Sequence, residues 1–177
     1  MQYERPVIKL IPSKFDKTID RISLLTLVFA WAYTIVQYSK LPDIIPTHFD
    51  LNGNIDDHGS KATIFILPSI ITIIFMGMTV LNNYPHIFNY MQKVTVENAP
   101  QQYSNATRLM RIIKLIIVVF TAILSVDIIR SAKSGHSTLE WWLIPVFMIS
   151  MITPVIISLV MFKQGKTKSG KQKKIII

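Results

Sequence analysis

The chain has 177 residues, half of them hydrophobic and only 16% charged, with a net charge of +9. A soluble domain carries about 25% charged residues, so this composition argues against a water-soluble globule and for a lipid environment. Cysteine is absent, which excludes disulfides, thiolate nucleophiles and thiolate metal sites together.

A membrane-crossing helix needs about 20 mostly apolar residues, and four stretches qualify, about 22–39, 62–81, 109–130 and 141–162. The first, Ile22 to Ser39, is uncharged and carries Trp31, Tyr33 and Tyr38 toward its far half, where amphipathic rings suit a membrane interface. It begins too far from Met1, and lacks a small-residue cleavage site before Pro42, to read as a removed signal peptide.

The second, Ala62 to Leu81, is also uncharged and contains Pro68. The third has an apolar or small centre from Leu115 to Val126, and a full span must take in Lys114 at one end and Asp127 at the other. It is the least sharply bounded of the four. The fourth opens on Trp141 and Trp142 and closes on Lys163, with Pro145 and Pro154 inside it as expected kinks.

The expected fold is therefore an all-α integral membrane protein, one domain over residues 1–177, with four transmembrane helices. Lys and Arg concentrate in the N-terminal arm (Arg5, Lys9, Lys14, Lys17, Arg21), in the second connection and its flank (Lys93, Arg108, Arg111, Lys114) and in the tail 163–177. The positive-inside rule then puts both termini in the cytoplasm and the first connection outside. The basic tail reads as a grip on anionic headgroups of the bilayer, at about 1 kcal/mol per Lys or Arg, rather than as a nucleic-acid site. Arg108, Arg111 and Lys114 recur every three residues and read as a basic stripe against the same headgroups.

The first connection holds the densest polar chemistry, in the stretch PTHFDLNGNIDDHGSK from Pro46 to Lys61. Asn52-Gly53 tolerates positive φ, so a short β-hairpin pairing Thr47–Phe49 with Ile55–Asp57 is expected. Such a hairpin brings His48 toward Asp56 and His58, residue types that bind divalent cations. The spacing matches no established metal motif. The competing reading is structural: His48, Asp56 and Lys61 pair with their neighbours and fold the loop onto the bundle as a cap.

The residues Leu41, Pro42, Pro46, His48, Gly53, Asp56, Ser60 and Lys61 make this loop resemble a bacterial membrane domain of unknown function. That domain occurs alone and in the N-terminal half of the sporulation-delaying-toxin immunity protein family. The polar segment NNYPHIFNYMQKVTVENAPQQY, with Asn89, Tyr90, Glu97, Asn98, Gln102 and Tyr103, is similar to the connection after the second helix in the same proteins. The resemblance spans roughly Leu41 to Lys114 and implies a bacterial inner-membrane helical protein. Pro46, His48, Gly53, Asp56 and Lys61 are its candidate binding or loop-forming residues, with Asn98 and Tyr103 secondary. His58 stands where an aromatic residue is usual.

Asp127, near the outer end of the third helix, is a further candidate, because an acid within a span is functional by default. Its plainer reading is an i,i+3 partner for Arg130. Tyr84, His86, Tyr90 and Tyr103 give the second connection an aromatic character that marks an interface. GxGxxG, the full P-loop pattern GxxxxGK[ST], GxSxG and HExxH are missing, so no catalytic residue, metal or cofactor is assigned. Three functions stand open: an immunity-like protective module that meets a peptide toxin or membrane-protein partner, a small transporter or accessory subunit, and a metal-dependent membrane enzyme. Oligomeric state is open, and no GxxxG face is present.

Overall fold

The computed structural model describes residues 5–50 and 52–173, with side chains described as far as residue 160. Four helices are long and apolar enough to cross a membrane. They are α1 (Lys14–Tyr38), α2 (Ile66–Leu81, whose span is completed by the 3-10 turn Lys61–Phe65), α3 (Ala99–Ser134) and α4 (Leu143–Lys173), and a two-stranded antiparallel hairpin, β1 (Ile44–Phe49) and β2 (Ile55–Ser60), follows α1. The basic tail from Lys163 lies outside the residues whose side chains are described.

Two helices begin well before the apolar runs that announce them. Helix α1 starts at Lys14, because Ser13 and Asp16 form a reciprocal cap: the Ser13 hydroxyl accepts from the Asp16 amide at 3.1 Å, and the Asp16 carboxylate accepts from the Ser13 amide at 2.9 Å. Helix α3 starts at Ala99, with Pro100 in its first turn, and runs 36 residues to Gly135, which ends it in the left-handed conformation (φ 75°). At 1.5 Å per residue α3 is about 54 Å long, so it overreaches a hydrocarbon core of about 30 Å. Its polar first turns stand beyond the apolar layer.

The prolines have different roles. Pro68 follows a 3-10 turn, Lys61–Phe65, which leads into α2, as expected where a proline ring crowds the preceding turn. Pro154 lies inside α4, but Pro145 falls in its first turn, where no hydrogen bond to the previous turn is lost. Only Pro154 interrupts the helix interior.

Helix α3 is the hub: α1, α2 and α4 pack against it, and it also meets the hairpin. Its buried positions, Thr107, Arg111, Lys114, Val118, Ala122, Ser125, Ile129 and Ala132, recur every three or four residues, as do Ile19, Ser23, Leu27, Ala30 and Thr34 on α1. Small residues at this seam let the backbones approach. The hydroxyls of Ser23, Thr34 and Ser125 are satisfied by the carbonyls of Ile19, Ala30 and Thr121 at 2.8–2.9 Å.

Three apolar layers stack along the hub. Leu41, Ile45, Ile64, Ile129 and Ala132 lie under the hairpin; Leu27, Ile71 and Val118 lie midway; Val94, Ala99 and Tyr103 lie at the opposite end. Trp31 donates from its indole N–H to Thr72 at 2.9 Å, so this ring ties α1 to α2 instead of marking an interface. Helix α4 is the most peripheral: Phe147 stacks on Phe120 at 3.9 Å, but only 6% of Leu143–Val160 is buried. Its exposed Val146, Ile149, Ile152, Ile156 and Val160 leave an apolar surface suited to lipid.

Candidate functional site

The hairpin is longer than the expected one. Ile44 pairs with Ser60 and Phe49 with Ile55, with an irregularity between Pro46 and Phe49. Ile45 and Pro46 turn inward and are buried, whereas His48 turns outward. The tip is organised by Asp50, whose carboxylate accepts from the amides of Asn52 and Asn54, each at 2.8 Å, and from the Asn54 side chain at 3.0 Å. These bonds, led by those from Asn54, hold the Asp50 carboxyl below its ordinary pKa. The stabilising contribution is present at neutral pH and is lost as pH falls through that lowered value.

Gly53 supplies the positive φ of the turn, 83°. It also presses on the connection between α3 and α4: its carbonyl accepts from the Ser137 hydroxyl, and a Cβ here would lie 2.7 Å from the Leu139 carbonyl oxygen. Gly53→Ala therefore meets both a left-handed penalty of about 1–2 kcal/mol and a backbone clash. Its thermal unfolding midpoint in detergent is expected to fall, with faster proteolysis in the hairpin. An unchanged midpoint would show that the tip is not seated on the connection.

His48 Nδ1 and Asp56 Oδ1 meet at 2.6 Å, with both side chains substantially exposed. Lys61 does not join them. It pairs with Asp43 at 2.9 Å at the base of the hairpin and lies over the Tyr38 ring. That hydrogen bond, with the Lys61 charge, lowers the Asp43 pKa. His58 lies opposite Pro46, and its amide donates to Asp57 at 2.8 Å. Among the described residues no group of three or more His, Asp or Glu converges as a metal cluster. Ser60 caps the 3-10 turn by accepting from the Ala62 amide, which explains a Ser-Lys pair at that point.

The secondary candidates have structural surroundings. The Asn98 side chain accepts from the Thr95 amide at 2.8 Å and donates to the Lys93 carbonyl at 3.1 Å, shaping the chain just before α3. Tyr103 is fully buried, and its hydroxyl donates to the Pro6 carbonyl at 2.9 Å. Its ring packs on Tyr90, whose own hydroxyl donates to Pro85 and whose pKa burial raises. Arg5 donates to the His86 and Phe88 carbonyls. The arm from Arg5 to Pro12 is thus a strap laced to the second connection.

Asp127 and Arg130 line a groove of about 400 Å³ between α1 and α3, beside Phe29 and Val126. They form no ion pair within 4.0 Å; the Asp127 backbone carbonyl instead accepts from Thr138 at 3.1 Å.

The expected basic stripe faces inward. Arg108 binds Asp16 at 3.0 Å, Arg111 binds Asp20 at 2.9 Å, and Lys114 binds Asp20 at 2.8 Å and Thr79 at 3.0 Å. Lys114 is 1% exposed and lies 4.6 Å from the centre of the Phe75 ring. A charge this buried is kept from headgroups and must be paired. Asp16 and Asp20, four residues apart on one face of α1, are the partners that a stripe on α3 alone does not reveal.

Residues 25–72 match the family model described as Domain of unknown function (DUF1648). That segment runs from the middle of α1 through the hairpin to the first turns of α2. An uncharacterized protein of the archaeon Archaeoglobus fulgidus is 26% identical over 148 residues, covering 76% of this chain and 81% of its own length. No solved structure matches the chain. Together with the four apolar helices, the similarities fit a membrane domain of unknown function.

Proposed function

We propose that the protein is a non-enzymatic binding and protective module of the cell envelope, immunity-like in role, with the hairpin facing outward and both termini in the cytoplasm. The observation that carries this reading is the construction of the hairpin. Its inner residues, Ile45 and Pro46, are anchored in the bundle and its tip is fastened to the third connection, between α3 and α4, so His48 and Asp56 are displayed from a rigid base. A preorganised polar face loses little entropy when a partner docks. The partner proposed is a membrane-active peptide, and the resemblance to the sporulation-toxin immunity family supports that choice. The kinship extends to an archaeal protein, so the bacterial inner membrane is part of the proposal.

Deleting the gene is expected to sensitise cells to at least one peptide toxin. Restoring the intact chain should restore survival, and a His48→Ala/Asp56→Ala chain should not. Unchanged survival of the deletion strain across a toxin panel would overturn the reading. A second reading, a small transporter or accessory subunit, is favoured by one observation: the buried Lys114 amine, held by Asp20 and Thr79 between the helices. Transport by reconstituted vesicles that is lost in Asp20→Asn, with the fold intact, would favour it instead.

A further inference from the structure

The groove of about 400 Å³ between α1 and α3 has an apolar floor, formed by Phe29 from α1 with Val119, Ile123 and Val126 from α3. Its two charges gather at the hairpin end. Asp127 and Arg130 stand in the last two turns of α3, whereas Val119 lies about 12 Å deeper than Asp127 by helix rise. Among the described residues neither has an ion-pair partner within 4.0 Å. The neighbouring polar groups are engaged elsewhere: Lys133, one turn further on, donates to Gln37 of α1, and Thr26 in the groove wall donates to the Ile22 carbonyl. An ionisable side chain at membrane depth is costly unless it is partnered.

We propose that this groove binds one phospholipid with a primary ammonium headgroup, of the phosphatidylethanolamine class. Its phosphate meets Arg130, its ammonium meets Asp127, and an acyl chain runs inward along Phe29, Ile123 and Val119. Both headgroup contacts are charge-assisted hydrogen bonds. Residues three apart on a helix are neighbours, with about 5–6 Å between Cβ atoms, a separation that the two-carbon link of an ethanolamine phosphate spans. At about 30 Å³ per water-sized group, the groove takes roughly 13 such groups, most of one acyl chain. An anionic lipid without an ammonium would leave the Asp127 carboxylate unmet, and Glu140 adds to the negative field there. A choline headgroup has no N–H to donate to it. The site stands apart from the hairpin and does not rest on the proposed protective role.

The test uses the full chain in phosphatidylcholine nanodiscs doped with diazirine phospholipids of identical acyl chains and ethanolamine, choline or glycerol headgroups. The ethanolamine probe is expected to label peptides containing Phe29 and residues 119–126 about tenfold more than either other probe, a factor equivalent to about 1.4 kcal/mol. The exposed face of α4 at Val146, Ile149 and Ile152 should label equally with all three and gives the reference. Asp127→Asn should bring the ethanolamine probe down to the level of the choline probe, and Arg130→Gln should lower groove labelling by both. Equal labelling of the groove by ethanolamine and choline probes in the unmodified protein would overturn the proposal, as would preference for the glycerol probe. Absence of labelling at the groove would overturn it too, and would assign the groove to a protein neighbour. The three-probe comparison needs no variant, so the result stands even if a substitution perturbs folding.

Discussion

Asp20→Asn is expected to destabilise the helix bundle by about 3 kcal/mol, near the lower end of the roughly 3–5 kcal/mol lost when one partner of a buried ion pair is removed. The lower end applies because Asp20 keeps 37% of its side chain exposed. Asp20 serves two cations at once, Arg111 at 2.9 Å and Lys114 at 2.8 Å, so its neutralisation leaves both without their anion. Position sharpens the effect. Lys114 lies 20 residues before the end of α3 at Ser134, about 30 Å by helix rise, and Asp20 lies 18 residues before the end of α1 at Tyr38, about 27 Å. A hydrocarbon layer about 30 Å thick, counted from those helix ends, reaches as far as both residues, and Lys114, at 1% exposed, has no solvent at hand to replace a lost partner.

Lys114→Met is the informative contrast. It removes the most buried charge and leaves Asp20 with Arg111, so its loss should be smaller, and the double variant Asp20→Asn/Lys114→Met should be more stable than Asp20→Asn alone. Unfolding midpoints in mixed micelles give the comparison. Additive losses would show that Asp20 and Lys114 do not act as a pair.

Hydropathy made the four helices legible, because apolar runs of this length have few alternatives. The ends of α1 and α3 were not legible in that way, since Lys14, Asp16, Arg108 and Arg111 are polar and a span is recognised by its apolar centre. The burial pattern at 3–4 spacing along α3 shows what hydropathy misses: its inward face carries Thr107, Arg111 and Lys114 as readily as Val118 and Ile129. A basic triplet reads as lipid-facing until Asp16 and Asp20 are placed opposite it, and those lie some 90 residues earlier.

The hairpin was legible at its turn, because Asn52-Gly53 has a local meaning, and the meeting of His48 with Asp56 follows from strand pairing. That Lys61 forms an ion pair was legible, but with which residue was not. Its partner Asp43 lies at the base of the hairpin and has no motif of its own. The contact of Gly53 with Ser137 and Leu139 joins two connections far apart in the chain, and neither segment advertises it.

Tyr103→Ala is expected to cost about 3–5 kcal/mol, the range for truncating a buried aromatic side chain to alanine, whereas Tyr103→Phe should cost only about 1 kcal/mol, the net worth of one hydrogen bond. Tyr103 is 0% exposed and packs with Val94 and Ala99, with Ile8, Leu10 and Tyr90 against the same cluster. Its hydroxyl reaches the strap at Pro6. The two substitutions thus separate the layer at this end of the bundle from the fastening of the arm. Limited trypsin digestion reads the fastening, because Lys9 lies within the strap. Tyr103→Phe should speed cleavage at Lys9 with little change in the global unfolding midpoint, and Tyr103→Ala should lower that midpoint as well. If Tyr103→Phe left the cleavage rate unchanged, the strap would be held by Arg5 on the His86 and Phe88 carbonyls and by the packing of Ile8 and Leu10, with the Tyr103 hydroxyl contributing little.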